Sequence, residues 1–286
     1  MSSAQRGMAS SSDARSGGDA TASPPPRKSD APFYWSFAIL GAVYGMLLLA
    51  MLAADLLYAA PSEWLQALRD PEIRASIWLS LLSCTLTTVL SLWVAVPIGY
   101  LMSRIPFRGK NLLDALLDIP IVLPPLVIGV SLLILFRYPP FRWLNRYVVF
   151  EIPAVILSQF MVACAFAVRT MRVTFDQISP RAEQVALTLG CTRSQAFWRV
   201  VFPEARRGLL TAGTLAWARS LGEFGPILIF AGATPFRTEV LSTTIFLQMQ
   251  AGNLKAALAV SLLMILAAVA VLTIARLFGL KGSGLI

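Results

Sequence analysis

Arg219 and Glu223 stand four residues apart in a stretch, 208–232, that is otherwise apolar. On a helix that spacing puts both side chains on one face, where guanidinium and carboxylate can pair and lower the cost of burying either charge. Asp114 and Asp118 repeat the spacing beside another apolar run, within reach of accepting from Arg219. Two readings stay open for this set: an ion pair that locks helices together, or charged groups along the path and gate of a transported anion. A third, acid–base or metal chemistry by Asp114, Asp118 and Glu223 in a membrane-embedded enzyme, lacks its usual partner. The chain has no histidine, the commonest metal ligand and general base. Cys84, Cys164 and Cys191 lie far apart and define neither a disulfide framework nor a metal site. No Gly-Lys-Ser/Thr phosphate loop occurs either. The expectation is a chain with no catalytic residue, no metal and no cofactor of its own.

The elements that hold these residues are apolar helices. Of the 286 residues 57% are apolar and only 14% charged, against about 25% charged in soluble domains. Five uncharged runs, 33–54, 75–103, 119–136, 152–168 and 256–275, are 17 to 29 residues long, near or above the roughly 17 to 25 that cross a bilayer as a helix. Admitting Arg219 and Glu223 makes 208–232 a sixth. None shows the period-2 alternation of a membrane barrel, so the expected class is an all-α membrane protein with six spans. Pro120, Pro124 and Pro125 must kink or break the third, which membranes tolerate only where neighbours satisfy the freed carbonyls. The segment 62–73 reads as an interfacial helix anchored by Trp64, 238–250 as a half-helix re-entering from outside, and the fourth span as ending at Arg169.

The net charge of +9 fits membrane orientation rather than nucleic acid. With six spans and both termini cytoplasmic, 16 of the 24 Lys and Arg fall inside and seven outside. Residues 1–32, rich in Ser, Ala, Gly and Pro, cannot bury enough apolar surface to fold and read as a disordered cytoplasmic tail. A span over 33–60, a transmembrane domain over 73–276 and a short cytoplasmic tail over 277–286 complete the division. The uncharged run after the first tail exceeds a signal peptide's h-region of about 7 to 15 residues.

Between spans four and five lies a polar, basic segment, 179–208. Its order reads as a capped helix from Ser179, a Gly-Cys-Thr turn with Gly190 as C-cap, and a second helix from about Thr192 with a cationic side from Arg193, Arg199, Arg206 and Arg207. A protruding pair of this kind offers Leu187, Leu189, Phe197 and Trp198 to a partner. A hairpin lying on anionic lipid is the alternative.

The spacing of Glu183, Ala186, Gly190, Val200 and Pro203 resembles the EAA motif of ABC importer permeases, with Gln184 and Val185 departing from that family's usual Glu and small residue. A second segment, ARSLGEFG over 218–225, is similar to the signature of the molybdate and tungstate permease branch, to which sulfate permeases are related. The resemblance covers roughly 73–276 with LLDIPIVLPPLVIG included. It implies a type I importer permease fold with cytoplasmic coupling helices in 179–208, in a bacterial or archaeal inner membrane. It implies docking of a separate ATPase, which uses ATP and Mg, at Glu183, Gln184, Ala186, Gly190, Phe197, Val200 and Pro203, with Asp118, Arg219 and Glu223 on the path or gate. The implied partners are that ATPase, a second permease copy, an extracytoplasmic oxyanion-binding protein and membrane lipid. Sulfate or another anion is the alternative cargo; a stand-alone channel or secondary transporter would leave the loop unexplained.

Overall fold

In the computed structural model several helices open at a proline or a capping side chain, as those beginning at Pro71, Pro125, Ile152 and Pro180 do. The structure describes residues 31–58 and 61–281. The tail expected over 1–32 lies outside them except for its last two residues, which belong to the first helix. The chain divides into two units, 1–52 and 53–286.

Helix α1 (Ala31–Tyr58) is apolar on all sides, and its described side chains are almost all exposed, the pattern of a helix whose solvent is hydrocarbon. Helix α2 (Pro61–Arg69) is shorter than the interfacial helix expected over 62–73. Asp70 leaves the helical path to cap α3 (Pro71–Arg104), its Oδ1 accepting from the Glu72 N–H at 2.9 Å with Pro71 in the first turn. Helix α3 tolerates Pro97 and stops before Pro106, which disfavours helical backbone at Ile105.

The expected proline break is complete. Helices α4 (Lys110–Val122) and α5 (Pro125–Leu135) meet at 111°, because Leu123 and Pro124, each preceding a proline, are extended. A 3₁₀ turn (Phe141–Leu144) and α6 (Asn145–Val148) lead to α7 (Ile152–Gln177). Helix α7 runs two turns past Arg169, where the span was expected to end. Its last turns keep an apolar face, with Met171 and Phe175 fully buried, while Arg172 and Asp176 pair at 3.9 Å on the other.

The loop that follows holds α8 (Pro180–Thr188), α9 (Arg193–Ala196), a π-helical turn (Phe197–Val201) and α10 (Phe202–Glu204). The segment 208–232 is not one helix. It falls into α11 (Arg206–Leu221) and α12 (Gly225–Phe230), separated at Gly222. After an irregular stretch come α13 (Leu241–Gln250), at the expected half-helix, and α14 (Leu254–Lys281), which overruns the expected end at 276. Among the described residues four unbroken helices, α1, α3, α7 and α14, are long and apolar enough to span. The bent α4–α5 pair makes a fifth if counted as one.

Helix α7 is the hub, packed against α3, α11, α4 and α12. The contact with α3 and α11 is built from Ala95, Ala163, Ala167, Ala212 and Ala216, small residues that let membrane helices approach closely. At Gly99 the α3 backbone comes close to that of α7: a Cβ there would meet the Arg172 nitrogen and the Met171 Cβ at 2.9 Å. The two broken pairs meet through α5 and α12, with Ile128, Leu132, Ile227 and Phe230 between them.

Candidate docking loop and intramembrane ion pair

The loop between α7 and α11 is defined by its caps. The Ser179 hydroxyl accepts from the Arg181 N–H and Pro180 opens α8. At the far end Gly190 adopts φ +89°. The Cys191 N–H then reaches the Ala186 carbonyl at 3.1 Å, and the Gly190 N–H reaches Leu187 at 3.0 Å. This is the Schellman closure that glycine permits. Thr192 then starts α9 in a capping box: its hydroxyl accepts from the Gln195 N–H at 3.3 Å, and the Gln195 side chain accepts from the Thr192 N–H at 2.9 Å. Both helix starts and the glycine stop stand where the sequence places them.

Which side chains face outward differs from expectation. Leu189 is 80% exposed and Trp198 59%, and Val185, Gln184 and Pro203 are exposed as well. Ala186 is buried, however, and Leu187 and Val200 are half-buried. Phe197 turns inward, its ring 4.8 Å from Tyr100 and 6.3 Å from Phe175. The reason lies in α3, whose last two turns present an aromatic ring and a guanidinium to the hairpin. Glu183 is also turned inward: its Oε1 accepts from the Tyr100 hydroxyl, and its Oε2 lies 3.4 Å from Arg104 Nε. Arg104 Nη2 donates to the Ile178 carbonyl at 2.8 Å, at the end of α7. The sequence reading does not single out Tyr100 or Arg104, although their i, i+4 spacing at the C-terminal end of an apolar run is the available signal.

The second constellation holds in part. Arg219 Nη1 and Glu223 Oε2 are 2.8 Å apart, with Glu223 1% and Arg219 30% exposed. The Arg219 guanidinium also lies 5.8 Å from the Phe166 ring centre. Glu223 sits at the break between α11 and α12, where its own carbonyl accepts from the Ser242 hydroxyl of α13 at 2.7 Å. The aspartates do not join Arg219. Asp118 takes both arms of a fork from Arg169, and Asp114 pairs with Arg172, because α4 packs on α7. They clamp α4 to the C-terminal half of α7.

At the opposite end of α3, Glu239 is 3% exposed and neither carboxylate oxygen has a hydrogen-bond partner. Burial, with Glu72 and Asp70 nearby, pushes its carboxyl up to about 7 against a counteracting contribution from Thr244. Among the described residues no group of three His, Cys, Asp or Glu side chains could hold a metal ion.

Comparison with known proteins places this geometry. Residues 95–280 match the family described as "binding-protein-dependent transport system inner membrane component". The chain is 32% identical over 224 residues to the sulfate transport system permease protein CysT of Escherichia coli (strain K12), covering 76% of this chain and 81% of that protein. It is 33% identical over 166 residues to the molybdate/tungstate transport system permease protein WtpB of Pyrococcus abyssi, covering 58% of this chain and 64% of that protein. Among solved structures, a chain of a bacterial alginate ABC transporter in complex with alginate pentasaccharide-bound periplasmic protein superposes with a TM-score of 0.71. The superposition covers 89% of this chain and 96% of that one at 15% identity, a likeness of fold.

Proposed function

We infer the role of this chain from one premise: it belongs to the family of binding-protein-dependent transport system inner membrane components. It is thus a multi-pass permease of an ABC importer, a non-catalytic membrane subunit. The reading we propose is that it carries a tetrahedral oxyanion, molybdate or tungstate, delivered by an extracytoplasmic binding protein. Two copies would form the pathway, and a separate ATPase, using ATP and Mg, would drive it. Both termini and the α8–α9 hairpin are assigned to the cytoplasm.

The observation that carries the coupling role is the hairpin itself, doubly capped and ordered, yet holding Leu189 and Trp198 out as exposed apolar side chains. An apolar side chain held outward by a rigid cap is preorganised for a partner's groove. Gln184 and Pro203 complete the proposed docking face, and Gly190 fixes its turn. Binding of ATP would draw the two ATPases together, and the hairpins would carry that movement into the spans.

Replacing Leu189 and Trp198 by Asp together is expected to abolish co-purification of the ATPase while membrane insertion stays intact. Normal recovery of the ATPase with this variant would remove the proposal. For the cargo, the segment 218–225 favours molybdate or tungstate, whereas the longer match to a sulfate permease favours sulfate. Parallel uptake of molybdate and radiolabelled sulfate by the complete transporter decides between them. Uptake of sulfate alone overturns the molybdate assignment.

A further inference from the structure

We propose that Glu183 is a positioning residue that fastens the docking hairpin to the inner end of α3, so that hairpin and span move as one body, and that it makes no contact with the ATPase. The inference rests on the reading that the hairpin docks the ATPase, but it reverses the part expected of this glutamate. Its side chain is 13% exposed and that of Arg104 12%. Both carboxylate oxygens already face partners on α3, the Tyr100 hydroxyl and Arg104 Nε. A carboxylate enclosed in this way would have to break both interactions to reach another protein, while Gln184 beside it is open.

The position of this contact gives it mechanical weight. Between α3 and the hairpin lies a cleft of about 650 Å³, bordered by Tyr100, Arg104, Glu183, Gln184, Arg193 and Phe197. Across that cleft α8 is joined to α3 by side chains. The Tyr100 hydroxyl gives Glu183 a charge-assisted hydrogen bond, stronger and more directional in such a part-buried place than in water, and Arg104 Nε adds an ion pair at 3.4 Å. Arg104 extends the link by donating to the Ile178 carbonyl at 2.8 Å, one of the acceptors left free where α7 ends. The Tyr100 ring is wedged edge-on between Phe175 at 5.7 Å and Phe197 at 4.8 Å, so the hydroxyl is held in place. One carboxylate therefore ties α8 to α3, and one guanidinium ties both to the end of α7. A pull on the hairpin would pass into two spans at once. Without the link, the hairpin could swing on the cleft and hydrolysis would run without translocation.

The test uses the complete transporter, permease with ATPase and binding protein, in liposomes, with molybdate and sulfate as probes. Tyr100→Phe removes one hydroxyl and keeps the ring stack; Glu183→Gln keeps the shape and removes the charge. Both variants should retain the ATPase to within twofold of wild type, while anion taken up per ATP hydrolysed falls threefold or more. That ratio does not depend on how much protein folds, so a purely structural role would leave it unchanged. Wild-type ratios in both variants would overturn the proposal. Loss of the ATPase from Glu183→Gln alone would make Glu183 a docking contact, which overturns the latch and leaves the docking reading standing. Retention of the ATPase by the Leu189→Asp, Trp198→Asp variant removes the docking reading instead.

Discussion

Arg219 and Glu223 are unequal partners, and the inequality is testable. Glu223 is 1% exposed and Arg219 30%, so removing the arginine strands a carboxylate that has no water, whereas removing the glutamate leaves a guanidinium that reaches its surroundings. Breaking a buried pair costs about 3 to 5 kcal/mol when the survivor is uncompensated. Arg219→Leu is expected to approach that range, Glu223→Leu to fall below it, and the double variant to recover part of the loss, as read by thermal midpoints in detergent. Equal losses in the two single variants would contradict an ion pair of this geometry. Oxyanion uptake measured on the same preparations separates the two roles, since a double variant that assembles but carries nothing assigns Arg219 to the anion path. Glu239 gives a prediction of the opposite kind, in pH. Its carboxyl is raised from 4.5 to about 7, so below the lower value folded and unfolded chains are alike. Between the two values only the folded state keeps the proton, and stability falls as pH rises through this window. The change should be on the order of 1 to 3 kcal/mol. Glu239→Gln should flatten the profile between pH 5 and 8, and an unchanged slope in that variant would assign the dependence to another group.

At the scale of elements, a tight constraint lies at the crossing of α3 and α7. A side chain at Gly99 would be driven into the backbone of Arg172, which cannot move without shifting the ion pairs to Asp114 and Asp176. Gly99→Val should cost about 1 to 3 kcal/mol, as overpacking does, and lower the thermal midpoint. A variant with wild-type stability would show that the crossing is looser than its geometry. The same elements show what the sequence makes legible. Caps and breaks were readable because they are local: Ser179, Gly190 and Thr192 punctuate the hairpin through their own backbone chemistry, and Pro124 and Pro125 force the break between α4 and α5. Facing was not readable. Phe197 and Glu183 turn inward because of Tyr100 and Arg104, more than seventy residues away in sequence, and hydropathy cannot see a partner that distant. Likewise Asp114 and Asp118 belong to Arg172 and Arg169 rather than Arg219, since helix adjacency selected among arginines that the sequence leaves equivalent. The overrun of α7 past Arg169 escaped for a related reason: charge ended the apolar run, while Met171 and Phe175 kept one face in the core.

For the whole molecule the open quantity is how many times the chain crosses the membrane, and the sharp bend between α4 and α5 decides it. A pair bent by 111° is either one broken crossing or a loop that enters and returns by the same face, and the two differ by one in parity. If α1, α3, the bent pair and α7 all cross, the N-terminus and the α8–α9 hairpin share a side; if the pair re-enters, they lie on opposite sides. The 16 to 7 division of Lys and Arg favours a shared cytoplasmic side. The experiment starts from a chain with Cys84, Cys164 and Cys191 replaced by Ser. A single cysteine is then introduced at Ser12, Leu189 or Phe236, the last two being 80% and 66% exposed. In intact cells a membrane-impermeant maleimide should label Phe236→Cys and spare both Ser12→Cys and Leu189→Cys, and all three should react once the membrane is opened. Labelling of Ser12→Cys together with Phe236→Cys would make the bent pair re-entrant. Labelling of Leu189→Cys in intact cells would put the hairpin outside, where no ATPase could meet it.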